Sequence, residues 1–142
     1  MNTTIGSSSS SSQSRSPAPT CMIVEDQALI GLSLEAYLEE IGFGSCETFP
    51  SATKALEWLV ENTPDVAILD YTLKDGPCIP LARALRERGV PFVIYSGHKP
   101  SVAPPELLNV PWLSKPCDRM ALLAALTHVA PVLTGWNMQR AA

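Results

Sequence analysis

The sequence predicts a doubly wound α/β domain, a five-stranded parallel sheet with helices on both faces. Three observations carry this. Short continuous apolar runs at Thr20–Val24, Val66–Leu69 and Phe92–Tyr95 read as strands buried on both sides. Segments with helical apolar spacing alternate with these runs, which is the pattern of right-handed βα crossovers. Acids, a hydroxyl and a lysine follow directly on the strand ends, where the carboxyl edge of such a sheet places a ligand site.

Residues 1–19 are dominated by Ser, Thr, Pro and Gly, with an unbroken run from Ser7 to Ser12. They hold too little apolar surface for a core and are expected to form a disordered tail. The first strand, Thr20-Cys21-Met22-Ile23-Val24, ends in Glu25-Asp26. From Gln27 to Ile41 the residues Leu29, Ile30, Leu34, Tyr37, Leu38 and Ile41 recur at helical spacing, and Gly42 and Gly44 stop that helix. Ser45 to Phe49 is a short second strand. Ser51 caps a helix running to about Asn62, with Ala52, Ala55, Leu56, Leu59 and Val60 on its inner face. Pro64 breaks it before the central strand, Val66 to Asp70.

After the Gly76-Pro77 turn a third helix spans Ile79 to Arg88. It turns Leu81, Ala82 and Leu85 inward and Arg83, Arg86, Glu87 and Arg88 to solvent, and Gly89 ends it. The fourth strand, Phe92 to Tyr95, ends at Ser96-Gly97. Between His98 and Pro111, the prolines 100, 104, 105 and 111 leave at most a short turn around Glu106 to Asn109, so the fourth helix is shortened. Trp112-Leu113 is a brief last strand before Ser114-Lys115-Pro116. Asp118 caps a closing helix from Arg119 to about Val132, with Met120, Leu122, Leu123, Leu126 and Val129 available for burial. The domain is thus expected over 20–133, with 134–142 as a C-terminal tail.

At 142 residues the chain suits one domain with a sizeable core. Its net charge of −4 gives no electrostatic reason to expect nucleic acid or an anionic membrane as partner. No apolar run approaches the roughly 18 residues of a membrane span, and the N-terminus lacks the apolar centre of a secretory signal. The four cysteines, Cys21, Cys46, Cys78 and Cys117, form no C-x-x-C pair. They read as small hydrophobes in a reduced cytoplasm.

The strand ends bring Glu25-Asp26, Asp70, Ser96 and Lys115 to one edge although dozens of positions separate them. Three carboxylates so placed repel one another unless a cation joins them. Mg²⁺ suits the task, because it takes a few carboxylates with carbonyls, waters and phosphate oxygens. Lys115 is a point cation suited to a phosphoryl group and Ser96 a hydroxyl donor. Asp70, at the end of the central strand, is then the candidate nucleophile, forming an acyl phosphate.

On these residues the chain resembles the receiver domain of two-component response regulators, over about Thr20 to Val132. Glu25 and Asp26 fall where that family carries its metal-binding acids, Asp70 at the phosphorylated aspartate and Ser96 at the switch hydroxyl. The resemblance implies a flavodoxin-like strand order of 2-1-3-4-5 and a metal site of Glu25, Asp26, Asp70 and the Thr72 carbonyl. It further implies phosphoryl room at Gly97 and a cis peptide before Pro116, in the Lys115-Pro116 pair. Trp112 lies where many receivers carry an aromatic that turns inward on activation; a plain anchoring role for the last strand fits it equally.

The segments Val90–Val93, Ser96-Gly97 and Val110–Pro116, with the shortened fourth helix, also resemble the FAT GUY group of single-domain receivers. The run Ile94-Tyr95-Ser96-Gly97-His98-Lys99 lacks that group's terminal aromatic. The implied protein is a single-domain signalling phosphoacceptor rather than an enzyme. A histidine kinase or phosphotransfer protein would phosphorylate it, and it would act on a downstream protein by contact. The rival reading is a phosphorylation-independent binding module, or a phosphate sink. A haloacid-dehalogenase-type phosphatase would need an acid at position 72, where Thr72 stands, and Glu25-Asp26 would repel a flavodoxin's flavin phosphate.

Overall fold

The computed structural model describes residues 18–97, 104–116, 118–131 and 133. Its strands are β1 (Thr20–Val24), β2 (Ser45–Phe49), β3 (Val66–Leu69), β6 (Phe92–Ser96) and β7 (Trp112–Ser114), with a two-residue hairpin of β4 (Thr72–Leu73) and β5 (Gly76–Pro77) after β3. The main sheet has the order β2-β1-β3-β6-β7 and all its pairings are parallel. Leaving out the hairpin, this is the expected 2-1-3-4-5 order. Among the described residues four helices flank it: α1 (Ala28–Glu40), α2 (Ala52–Leu59), α3 (Ile79–Glu87) and α4 (Arg119–Val129).

Period-two alternation along each strand feeds two cores. Met22, Val24, Ala67, Leu69 and Ile94 pack on one face with Ala55 and Leu59 of α2, Leu81 and Leu85 of α3, and Leu107. Ile23, Val66, Ile68 and Val93 pack on the other with Leu34 and Leu38 of α1 and Leu122 and Leu126 of α4. β3 is buried at every position because it has helices above and below and strands on both sides.

Local signals set the helix limits. Ser51 Oγ accepts from Lys54 N at 3.2 Å and Asp118 Oδ1 from Ala121 N at 2.7 Å, so both expected caps form. Gly89 ends α3 with a φ of 73°, a left-handed conformation that favours glycine. Between β6 and β7, where the sequence predicts a shortened helix, the described residues form a 3-10 turn, Pro105–Leu107.

Some sequence expectations need correction. Leu29, Val60 and Met120 are 81, 70 and 65% exposed rather than buried. Each lies in or just beyond a terminal helical turn, and periodicity assigns a face without saying how far the sheet extends beneath it. α2 ends at Leu59 and α4 at Val129, each about three residues short of expectation. Pro19, assigned to the tail, is buried, and its carbonyl accepts from Gly44 N at 2.8 Å. The rest of the expected tail up to residue 17, and residues 98–103, 117, 132 and 134–142, lie outside the described residues.

Candidate functional site

Main-chain pairing places the acids before their side chains contribute. Past the strand ends, Glu25 N donates to Phe49 O at 3.0 Å and Asp70 N to Val24 O at 2.9 Å. The side chains then converge: one carboxylate oxygen from each of Glu25, Asp26 and Asp70 lies within 4.8 Å of the other two. Glu25 and Asp70 are buried, and Asp26 is half-buried.

Lys115 reaches this cluster from the edge strand. Ser96 pairs in register with Ser114, and Lys115 N donates to Ser96 O at 3.0 Å. Its Nζ donates to Glu25 Oε1 at 2.6 Å and to Asp70 Oδ2 at 3.0 Å. The other oxygens are engaged as well: Gln27 N donates to Glu25 Oε2 at 2.9 Å, and Thr72 N to Asp70 Oδ1 at 3.3 Å. The Lys115–Pro116 peptide is cis, as the resemblance implies.

Burial pushes the Glu25 carboxyl above its ordinary range, against the hydrogen bonds from Lys115 and Gln27. Burial alone would pull Lys115 down, but its hydrogen bonds to Glu25 and Asp70 outweigh that and hold the ammonium above its usual value. With all four groups ionised, three carboxylates face one ammonium and leave two negative charges. That excess, on oxygen donors within 4.8 Å, fits a hard divalent cation.

Ser96 is buried at the end of β6. A Cβ at Gly97 would meet no atom within 4 Å, so space lies open beside it. Trp112 is half-buried and rests on Tyr71, with ring centroids 5.2 Å apart. The structure thus gathers Glu25, Asp26, Asp70 and Lys115 directly. Thr72 touches the cluster through its N–H.

Cys46 and Cys78 are free, with thiols pushed up to about 12 by burial, and the thiol of buried Cys21 is pushed well up too. Burial disfavours the thiolate of each, and they act as packing residues.

Two partnerships escaped the sequence reading. Asp75, which stands just before the Gly76-Pro77 turn, accepts hydrogen bonds from the first residues of α2. Arg86, assigned to solvent, donates Nε to Glu106 O at 2.9 Å and Nη2 to Leu108 O at 3.3 Å, while Arg83 pairs with Glu106 at 2.7 Å. The partners lie 20 to 23 positions apart, beyond any local pattern. Arg83 and Arg86 on one helix, with Glu106 the one acid between Glu87 and Asp118, were the available signal.

Comparison with known proteins adds three findings. A family model described as the response regulator receiver domain matches residues 21–127. No curated protein matches the chain. Among solved structures, SdrG from Sphingomonas melonis Fr1 is similar at 31% identity, covering 78% of this chain and 95% of that one with a TM-score of 0.67. A sensor protein from Polaromonas sp. JS666 is similar at 28% identity, covering 82% and 99% with a TM-score of 0.72. A CheY-like receiver domain from Methylobacillus flagellatus is similar at 27% identity, covering 83% and 98% with a TM-score of 0.66.

Proposed function

The chain belongs to the response regulator receiver domain family, and from that premise we propose that it takes a phosphoryl group onto Asp70 and signals by protein contact. The observation that carries this is the joint placement of Asp70 against Asp26, Glu25 and Lys115 at the carboxyl edge of the sheet.

A carboxylate oxygen of Asp70 attacks phosphorus, the P–N bond to the donor imidazole breaks as the aspartyl P–O bond forms, and the imidazole takes up a proton. Glu25, Asp26, Asp70 and the Thr72 carbonyl would hold Mg²⁺, which supplies charge neutralisation on the transferring group. Lys115 leaves its ion pair with Asp70 to meet the phosphoryl oxygens, and the Ser96 hydroxyl donates to them beside the open space at Gly97. These movements shift the population between two conformations. Trp112, seated on Tyr71 next to Asp70, carries the change to the surface along β7.

The donor is a histidine kinase or phosphotransfer protein. Exposed Leu29 and Leu32 on α1 and Met120 on α4 stand in the helical turns that follow the acid edge, and they suit an apolar protein contact. The output passes to a downstream protein by direct contact.

Incubation with a small acyl-phosphate donor and Mg²⁺, read by intact mass, tests the proposal. A single phosphoryl adduct is expected that requires the metal and is lost in Asp70→Asn. No adduct from this donor or from a kinase would sink the proposal and favour a phosphorylation-independent binding module.

A further inference from the structure

The segment from Asp70 to Cys78 is a closed unit. Thr72 pairs with Pro77 and Leu73 with Gly76, and Cys78 N donates to Tyr71 O at 2.9 Å. Gly76, with a φ of 120°, lets the chain reverse, and Leu73 buries its side chain beneath. At one end of this unit, Thr72 N donates to Asp70 Oδ1. At the other end, Asp75 leaves the hairpin and crosses to the start of α2.

There Asp75 Oδ1 accepts from Ala52 N at 3.2 Å, while its Oδ2 accepts from Thr53 N at 3.1 Å and Thr53 Oγ1 at 2.9 Å. Ser51 accepts from Lys54 N, so the first three N–H groups of α2 are shared between its own cap and an acid 22 positions ahead. The hydrogen bonds from Thr53, backbone and hydroxyl, and from Ala52 hold the Asp75 carboxyl below its usual range, and it stays anionic at neutral pH at the positive end of a helix. A turn acid needs none of these partners to form its turn. Their effect is to tie the hairpin to a helix seated on the sheet.

We propose that Asp75 is a positioning residue: it braces the hairpin on α2 so that the Thr72 main chain keeps its place beside Asp70 and presents its carbonyl to a divalent cation. This rests on the metal-assisted reading of the acid cluster given above. Asp75 touches neither the cation nor the phosphoryl group, and acts through Thr72 alone.

Calorimetric titration of the full chain with MgCl₂ tests it. Asp75→Ala is expected to raise the Kd for Mg²⁺ about tenfold, the scale on which outer partners of metal ligands act. Asp75→Asn, which keeps one acceptor oxygen, should fall between it and wild type. Ser51→Ala also removes a cap from α2, so it should lower the melting temperature while leaving the Kd unchanged. Should Asp75→Ala fold poorly, Thr53→Val removes one donor to the same carboxylate and should weaken Mg²⁺ in the same direction.

An unchanged Kd in Asp75→Asn and Thr53→Val overturns the inference. So does an equal loss in Ser51→Ala, because Asp75 would then act through helix stability only. Wild type that binds no Mg²⁺ overturns it together with the metal reading. Wild type that binds Mg²⁺ yet takes no phosphoryl group sinks the transfer reading alone, and the role of Asp75 is still measured.

Discussion

Two of the connections that leave the carboxyl edge of the sheet, those after β3 and after β6, are held by opposite means. The one after β3 is short, folds on itself as a hairpin, and sends out an acid, Asp75, to the N-terminus of α2. The one after β6 is long and rich in proline, and over its described part it receives its anchors. Arg83 and Arg86 reach in from α3 to Glu106 and Leu108, while Leu107 fills the core below. The first restrains the residues next to Asp70 through a bond to the helix backbone. The second is clamped, over its described part, by long side chains that reach in from α3. The acid edge and the β6–β7 connection therefore rest on separate restraints, one made by the hairpin on α2 and the other by α3 on the connection.

Substitutions in the two regions sharpen that contrast. The largest effect belongs to Leu107→Ala, which removes the buried anchor of the β6–β7 connection among its described residues and should cost about 2–5 kcal/mol in urea unfolding. Phosphoryl uptake on Asp70 should nevertheless persist below the midpoint; loss of both together would mean the regions are one unit. Lys115→Ala comes next, because it leaves the Glu25 charge buried without its partner and should cost about 3 kcal/mol without metal. Adding Mg²⁺ should restore part of this in thermal melts. Arg86→Ala removes two bonds to carbonyls and a contact with the Phe92 ring, and should cost about 1 kcal/mol while speeding amide exchange at Leu108.

The smallest effect is a pH dependence. The folded state lowers the Asp75 pKa, so the stability it contributes is fully present above the unfolded value of about 3.9. It is lost as pH falls through the folded value. Wild type and Asp75→Asn should therefore differ in melting temperature at neutral pH and converge in acid. A constant difference down the acid limb would show that the carboxylate charge is not what braces the hairpin.

The sheet order and the gathering of Glu25, Asp26, Asp70 and Lys115 were legible because they follow from two strong regularities. Continuous apolar runs mark buried parallel strands, and such strands end on a common edge. Ser51 and Asp118 were legible as caps because a cap is a local pattern. What was hidden depends on distance through space. Asp75 sits before a glycine and satisfies a turn signal completely, so nothing local announces its bonds to α2. Arg83 and Arg86 fit a solvated face equally well, and only the fold brings Glu106 and Leu108 beneath them. Leu29, Val60 and Met120 carry the helical period beyond the point where there is a sheet to cover.

The contact between Tyr71 and Trp112 has a practical consequence. Tyr71 is one peptide bond from Asp70, and the indole of Trp112 lies with its centroid 5.2 Å from the Tyr71 ring. The molecule thus contains its own optical probe of the acid edge. Trp58 of α2, with its ring centroid 5.3 Å from that of Phe49, and Trp136 emit as well, so Trp58→Phe and Trp136→Phe isolate the Trp112 signal. Emission that changes on adding beryllofluoride is the expected sign that the indole senses the acid edge, and unchanged emission would leave Trp112 as a plain anchor of β7.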